Sequence, residues 1–140
     1  MKIGEVSSFY ADGGKIADIE ITEGVIGALA ETAKTVNGKE VVELRVELES
    51  SEFEFNKGLT VKKDRGFGTG TITPVAVDVD KDEMTIYIAK ENLKGTEKGR
   101  LTLTDMTVKA NVKAPTTGDL NVTVVSDAVE EKEHKVATIA

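Results

Sequence analysis

The sequence predicts an all-β protein, an antiparallel β-sandwich of about eight strands with at most one or two short helical turns. Three observations predict it. Apolar and polar residues alternate with a period of two over much of the chain, the pattern of strands that bury one face and solvate the other. Clusters of Gly, Asn and Asp punctuate these runs, supplying the positive φ and the local side-chain hydrogen bonds of tight turns. Val and Thr, which favour strands, are abundant. At 140 residues and 39% hydrophobic, the chain suits one domain with a sizeable core.

The elements follow in order. Ile19 and Ile21 open the series of alternating runs. The stretch Glu23 to Lys34 holds helix formers, but Gly24 and Gly27 each weaken a helix by about 1 kcal/mol, which favours an irregular crossing loop or a short helix. The clearest strand sets Val42, Leu44, Val46 and Leu48 on one face against Glu43, Arg45, Glu47 and Glu49 on the other. Phe53 and Phe55 follow, then a strand over Thr71 to Val79 carrying Val75, Val77 and Val79, then Met84, Ile86 and Ile88 against Thr85 and Tyr87. Lys90 to Gly95 reads as one helical turn closed by its glycine. Leu101 and Leu103 run out of phase with Met106, Val108, Ala110 and Val112, so Thr104-Asp105 marks a bulge or bend that redirects one long strand. Leu120, Val122 and Val124, and a short segment from Lys135 to Ile139, complete the set.

Turns are expected at Asp12-Gly13-Gly14, Asn37-Gly38, Asn56-Lys57-Gly58, Asp80-Lys81-Asp82, Lys94-Gly95 and Thr117-Gly118-Asp119. Residues 1–15 read as a linker or a first edge segment, and residues 16–140 as a single sandwich domain. The polar stretches Met1 to Lys15 and Val129 to Lys135 are where the chain would join neighbours.

Composition excludes more functions than it suggests. There is no cysteine, so disulfide scaffolds, zinc-thiolate sites and thiol nucleophiles are out. His134 is the single histidine, and Ser7, Ser8, Ser50, Ser51 and Ser126 lie in no nucleophile elbow, which argues against a serine triad. A net charge of −7 disfavours nucleic acid, whose phosphates require clustered Lys and Arg. No apolar stretch is long enough to span a bilayer. The N-terminus lacks the apolar segment of a signal peptide, so the chain is expected to be either cytosolic or a mature domain of a longer exported protein.

Three motifs bear on chemistry. Asp78, Asp80, Asp82 and Glu83 open like a calcium loop, but the sixth position is Glu83 rather than glycine and the twelfth is Ala89 rather than glutamate. The plainer reading is a solvated hairpin whose charges deter edge pairing. Gly66, Gly68 and Gly70 resemble a phosphate cradle, yet a strand follows where a helix is needed, leaving a flexible connection suited to contact with a partner. The carboxylates alternate outward along strands and there is no Trp, which weakens a glycosidase or a carbohydrate platform, although Phe9, Tyr10, Phe67 and Tyr87 remain as sugar contacts.

Several stretches together resemble a known family. They are Ile19-Glu20-Ile21-Thr22-Glu23 with Gly27-Ala28-Leu29, the Leu44 to Leu48 strand leading into Phe53-Glu54-Phe55, and Thr117-Gly118-Asp119-Leu120-Asn121-Val122. They are similar to a β-sandwich domain of Gram-positive cell-surface proteins that accompanies S-layer-homology and copper-amine-oxidase-N-terminal-like segments. The resemblance spans most of Ile16 to Ala140. It implies a cohesin-like or immunoglobulin-like architecture and a non-catalytic, extracellular or cell-surface module of an S-layer-type or filament assembly. The expected partners are proteins, including self-association through edge strands, with Lys135 to Ala140 adding a strand to a neighbour; no cofactor is expected. The alternative is a carbohydrate- or protein-binding module with structural calcium at Asp78, Asp80 and Asp82, and a third reading is an enzyme accessory domain.

Overall fold

The computed structural model describes residues 2–3, 7–9, 13–126 and 133–139. In chain order these form β1 (Lys2–Ile3), β2 (Ser7–Phe9), β3 (Gly13–Lys15), β4 (Ile19–Thr22), α1 (Ala28–Glu31), β5 (Lys34–Val36), β6 (Lys39–Leu48) and β7 (Phe53–Phe55). Then come β8 (Thr60–Arg65), β9 (Gly70–Ile72), β10 (Ala76–Asp80), β11 (Glu83–Ala89), a 3₁₀ turn (Lys90–Leu93), β12 (Arg100–Thr104), β13 (Thr107–Ala110), β14 (Gly118–Val125) and β15 (Glu133–Ile139).

The strands form three sheets: β1-β4-β12-β8-β9; β10-β11-β6-β14-β15-β2 with β5 also beside β6; and a small β3-β13-β7. Among the described strands all pairs are antiparallel except β15 with β2. Fully buried side chains of the first sheet, such as Ile19, Ile21, Leu101, Leu103 and Val61, join those of the second, such as Val42, Leu44, Val46, Ile86, Ile88 and Val122, in one core. Each such aliphatic side chain contributes about 1.5–3 kcal/mol when fully buried. The all-β sandwich expected from the alternation is what forms.

The described strands number fifteen, where about eight were expected. Part of the excess comes from strands that change sheets. Thr71 to Val79 is two strands: β9 belongs to the first sheet and β10 to the second, with Thr73-Pro74-Val75 crossing between them. Proline cannot donate to a ladder, so the break falls there. At Asp105 the backbone takes φ 62, a left-handed conformation that Asp tolerates better than most residues. The chain accordingly leaves β12 in the first sheet and enters β13 in the third, so the phase change in sequence is a change of sheet. Val112 lies beyond β13 and is exposed, not part of the strand.

Asn37 and Gly38 have φ 50 and 77, the two positive values of a type I′ turn, which joins β5 to β6 through the Val36–Lys39 pair. The expected turn at residues 12–14 is different: Asp12 lies outside the described residues, and Gly13 and Gly14 belong to β3. A side chain on Gly13 would collide with the Val108 carbonyl, so glycine there permits close pairing of β3 with β13.

Candidate interaction surface

In the second sheet, β10 pairs only with β11, through Ala76–Tyr87 to Asp80–Glu83. Its inward side chains, Val77 and Val79, pack against the core, while Ala76, Asp78 and Asp80 are exposed. Among the described residues no strand pairs with its other side. The open stretch ends at the turn, where Phe55 N–H donates to the Lys81 carbonyl at 2.8 Å.

Beside β10, the outward face of the sheet carries a depression of about 320 Å³ lined by Val36, Val41, Val75, Ala76, Asp78 and Tyr87, with Asn37 and Lys39 at its rim. Val36 and Val75 are 39% and 44% exposed, two of five large apolar side chains left at the described surface. Val41 points to the same side as Glu43 and Arg45, yet is only 2% exposed, giving the depression an apolar floor that period-two reading does not reveal. A second depression shares Lys39 and Val75 and continues toward Thr73, Ala89 and the 3₁₀ turn.

The electrostatics of this face are negative. Lys34 and Arg45 are engaged by Glu43 at 2.6 Å and Glu47 at 2.8 Å, while the ion pairs among the described residues include neither Asp78 nor Asp80. Burial first, then the carboxylates of Glu43 and Asp78, hold the Tyr87 phenol above its ordinary pKa, partly offset by Lys34.

At the α1 end of the molecule lies a joint of another kind. Glu23 is buried, and its carboxylate accepts from the N–H groups of Leu29 and Gly99, each at 2.9 Å, and of Gly27 at 3.4 Å. Its own N–H donates to the Gly99 carbonyl at 2.9 Å. The carboxylate therefore satisfies donors that the start of a helix leaves orphaned and ties them to the approach to β12. Sequence reading passed over Glu23; its only signal is an acid just before a short run of helix formers.

Gly66, expected in a flexible loop, has φ 72 and lies against the backbone of Lys98 and Gly99. Phe67 covers Gly99 so closely that a β-carbon there would overlap its ring, and a side chain on Gly95 would strike the Gly66 carbonyl. This half of the Gly-rich segment is thus a packed junction. Close approach, not closure of the helical turn, is what calls for glycine at Gly95; Lys94, in extended conformation, ends the 3₁₀ turn. Gly68 and Gly70 remain unobstructed by backbone.

The remaining candidates are dispersed. Asp78 and Asp80 lie on the outward face of β10 and Asp82 in the turn, and the described residues contain no group of three or more His, Asp or Glu able to hold a metal ion. Phe67 is buried and Tyr87 half-buried; Tyr10 lies outside the described residues, and Phe9 is in β2. Ser50 and Ser51 follow β6, Ser126 follows β14, Ser7 and Ser8 are in β2, and His134 sits opposite Val122 in β15. The segment expected to add a strand to a neighbour, Lys135 to Ala140, is as far as Ile139 a strand of this chain's own second sheet, and Ala140 lies outside the described residues. β15 is enclosed by β14 and β2, and Val136 and Ala137 are fully buried.

No family model matches the chain, and no curated protein matches it in sequence. In fold it is similar to the major pilin subunit of Bacillus cereus, with a TM-score of 0.58 and 14% identity over 97% of this chain. It is also similar to the N-terminal domain of the Streptococcus gordonii adhesin Sgo0707, with a TM-score of 0.56 and 17% identity over 96% of this chain. The chain spans 37% of the first of those solved chains and 30% of the second. A described helix long and apolar enough to cross a membrane is absent.

Proposed function

We propose that the chain is a non-catalytic structural and adhesive module of a bacterial surface assembly. The observation that carries this reading is the likeness of nearly its whole length to a domain of a pilin subunit. A module in such an assembly must transmit tension, and the sheet order suits that task. β2 and β15 lie side by side and parallel, with Ser7, Ser8 and Phe9 opposite Ala137, Thr138 and Ile139. Once the short β1 has parted from β4, tension entering before β2 and leaving after β15 pulls these neighbours in opposite directions along their length. Their hydrogen bonds are then loaded together, in shear, instead of one after another. The buried side chains of β15 anchor that strand to the core.

Fractionation of the source cells with an antibody to this domain tests the reading. Signal in the surface fraction is expected, in a chain longer than this domain or in a polymer of it. Signal confined to the cytosol would overturn it.

A further inference from the structure

The open side of β10 and the apolar depression beside it form one continuous surface. Asp78 and Asp80 flank the edge, and Val75, Ala76 and Tyr87 connect it to the depression. A second copy is a poor occupant through this same edge. Pairing β10 with β10 would set acidic side chains against acidic side chains across the new ladder, and like charges facing each other destabilise a strand pair. Charge complementarity selects a basic occupant instead.

We propose that this surface binds an extended basic segment of another protein by strand addition to β10. The incoming strand runs antiparallel to β10. It places Lys or Arg opposite Asp80 and Asp78, small aliphatic side chains opposite Val79 and Val77, and a larger apolar side chain opposite Ala76. Ala76 has too little bulk to close the depression, so that last side chain extends over it toward Val36, Val75 and Tyr87. Main-chain hydrogen bonds supply affinity, and the alternation of basic and apolar side chains supplies specificity. Lys39 at the rim and Lys81 at the turn confine the basic side chains to the stretch between them. The assignment stands independently of whether the module bears tension.

The probe is the capped peptide Lys-Val-Lys-Val-Leu, titrated into the whole ¹⁵N-labelled chain, with Glu-Val-Glu-Val-Leu and a backbone N-methylated copy of the basic peptide as controls. The basic peptide should shift the amides of residues 76–80 and of Tyr87, and added salt should weaken it. The doubly substituted Asp78→Lys, Asp80→Lys protein should bind it at least tenfold more weakly. Both sites are exposed, so that variant should keep the parent melting temperature, which separates lost binding from lost fold. Equal binding of the acidic peptide, undiminished binding to the folded double variant, or no binding at all would overturn the proposal. Undiminished binding of the N-methylated peptide would equally overturn it, because occupation of the sheet face alone needs no main-chain ladder.

Discussion

β10 and β15 belong to the same sheet and are almost opposites. β10 has one partner and exposes Ala76, Asp78 and Asp80. β15 has two partners and buries Val136 and Ala137 in succession. The consecutive burial coincides with a shift in register against β14 between Leu120 and Asn121, a bulge that lets adjacent residues face inward. An apolar strand at a chain end suggests a donor arm when read locally. Whether a strand is interior or at the edge depends on which distant segment lies next to it, here β2 and β14. Charge is no surer a local guide: the outward carboxylates Asp78 and Asp80 stand on the open strand β10, but Glu43 and Glu47 stand on β6, which is paired on both sides.

The sharpest way to break the comparison is truncation. Removing residues 136–139 should abolish cooperative unfolding in circular dichroism, because it strips buried side chains and a two-sided ladder worth more than the few kcal/mol by which domains are stable. A folded, soluble truncated chain would return β15 to the role of a detachable arm. The next effect belongs to the α1 end. Gly99→Ala should cost about 3 kcal/mol in urea unfolding, since Phe67 must leave its place over the glycine. Glu23→Ala should cost about 2–4 kcal/mol by leaving the Leu29 and Gly99 N–H groups without an acceptor. Glu23→Gln, which keeps one acceptor oxygen, should cost less.

At β10 the same measurements should register almost nothing. Asp78→Lys with Asp80→Lys should change stability by no more than about 0.5 kcal/mol per site, the usual range for exposed substitutions. The smallest effect is alkaline. Tyr87 holds its proton more tightly when folded than when unfolded, so its contribution is complete below about pH 10 and is lost as pH rises through the raised value. Melting temperatures from pH 9 to 11 should fall less steeply in Tyr87→Phe than in the parent.

What the sequence made legible depended on whether a residue's neighbours in the chain were also its neighbours in space. The alternation in β6 and the turn at Asn37-Gly38 are local and are read from a few residues; the phase change at Asp105 is also visible, but what was expected to redirect one long strand is a passage from β12 in the first sheet to β13 in the third. β8 escaped because Thr60-Val61-Lys62-Lys63-Asp64-Arg65 offers one buried side chain, Val61, among charged ones. Its partners, β12 and β9, are what make it a strand. The Gly66 segment looked mobile for a related reason. Gly66 admits the backbone of Lys98 and Gly99, and Gly99 in turn admits the ring of Phe67; neither close approach is written in the segment itself. Of the candidate surface, the acidic hairpin was legible. The depression was not, because Val36, Val41, Val75 and Tyr87 come from four separate stretches of the chain.

The adjacency of β2 and β15 also governs how the molecule comes into being. Ser7 meets Ala137 across the ladder, so the second sheet cannot be completed until nearly all of the chain is present. Closing so long a loop forfeits chain entropy before the contacts return it, and sheets with such distant pairings fold slowly. During synthesis the early strands must therefore wait beside an unfinished edge. The acidic side chains of β10 already stand on one of the exposed borders during that interval, where they discourage association with other incomplete chains.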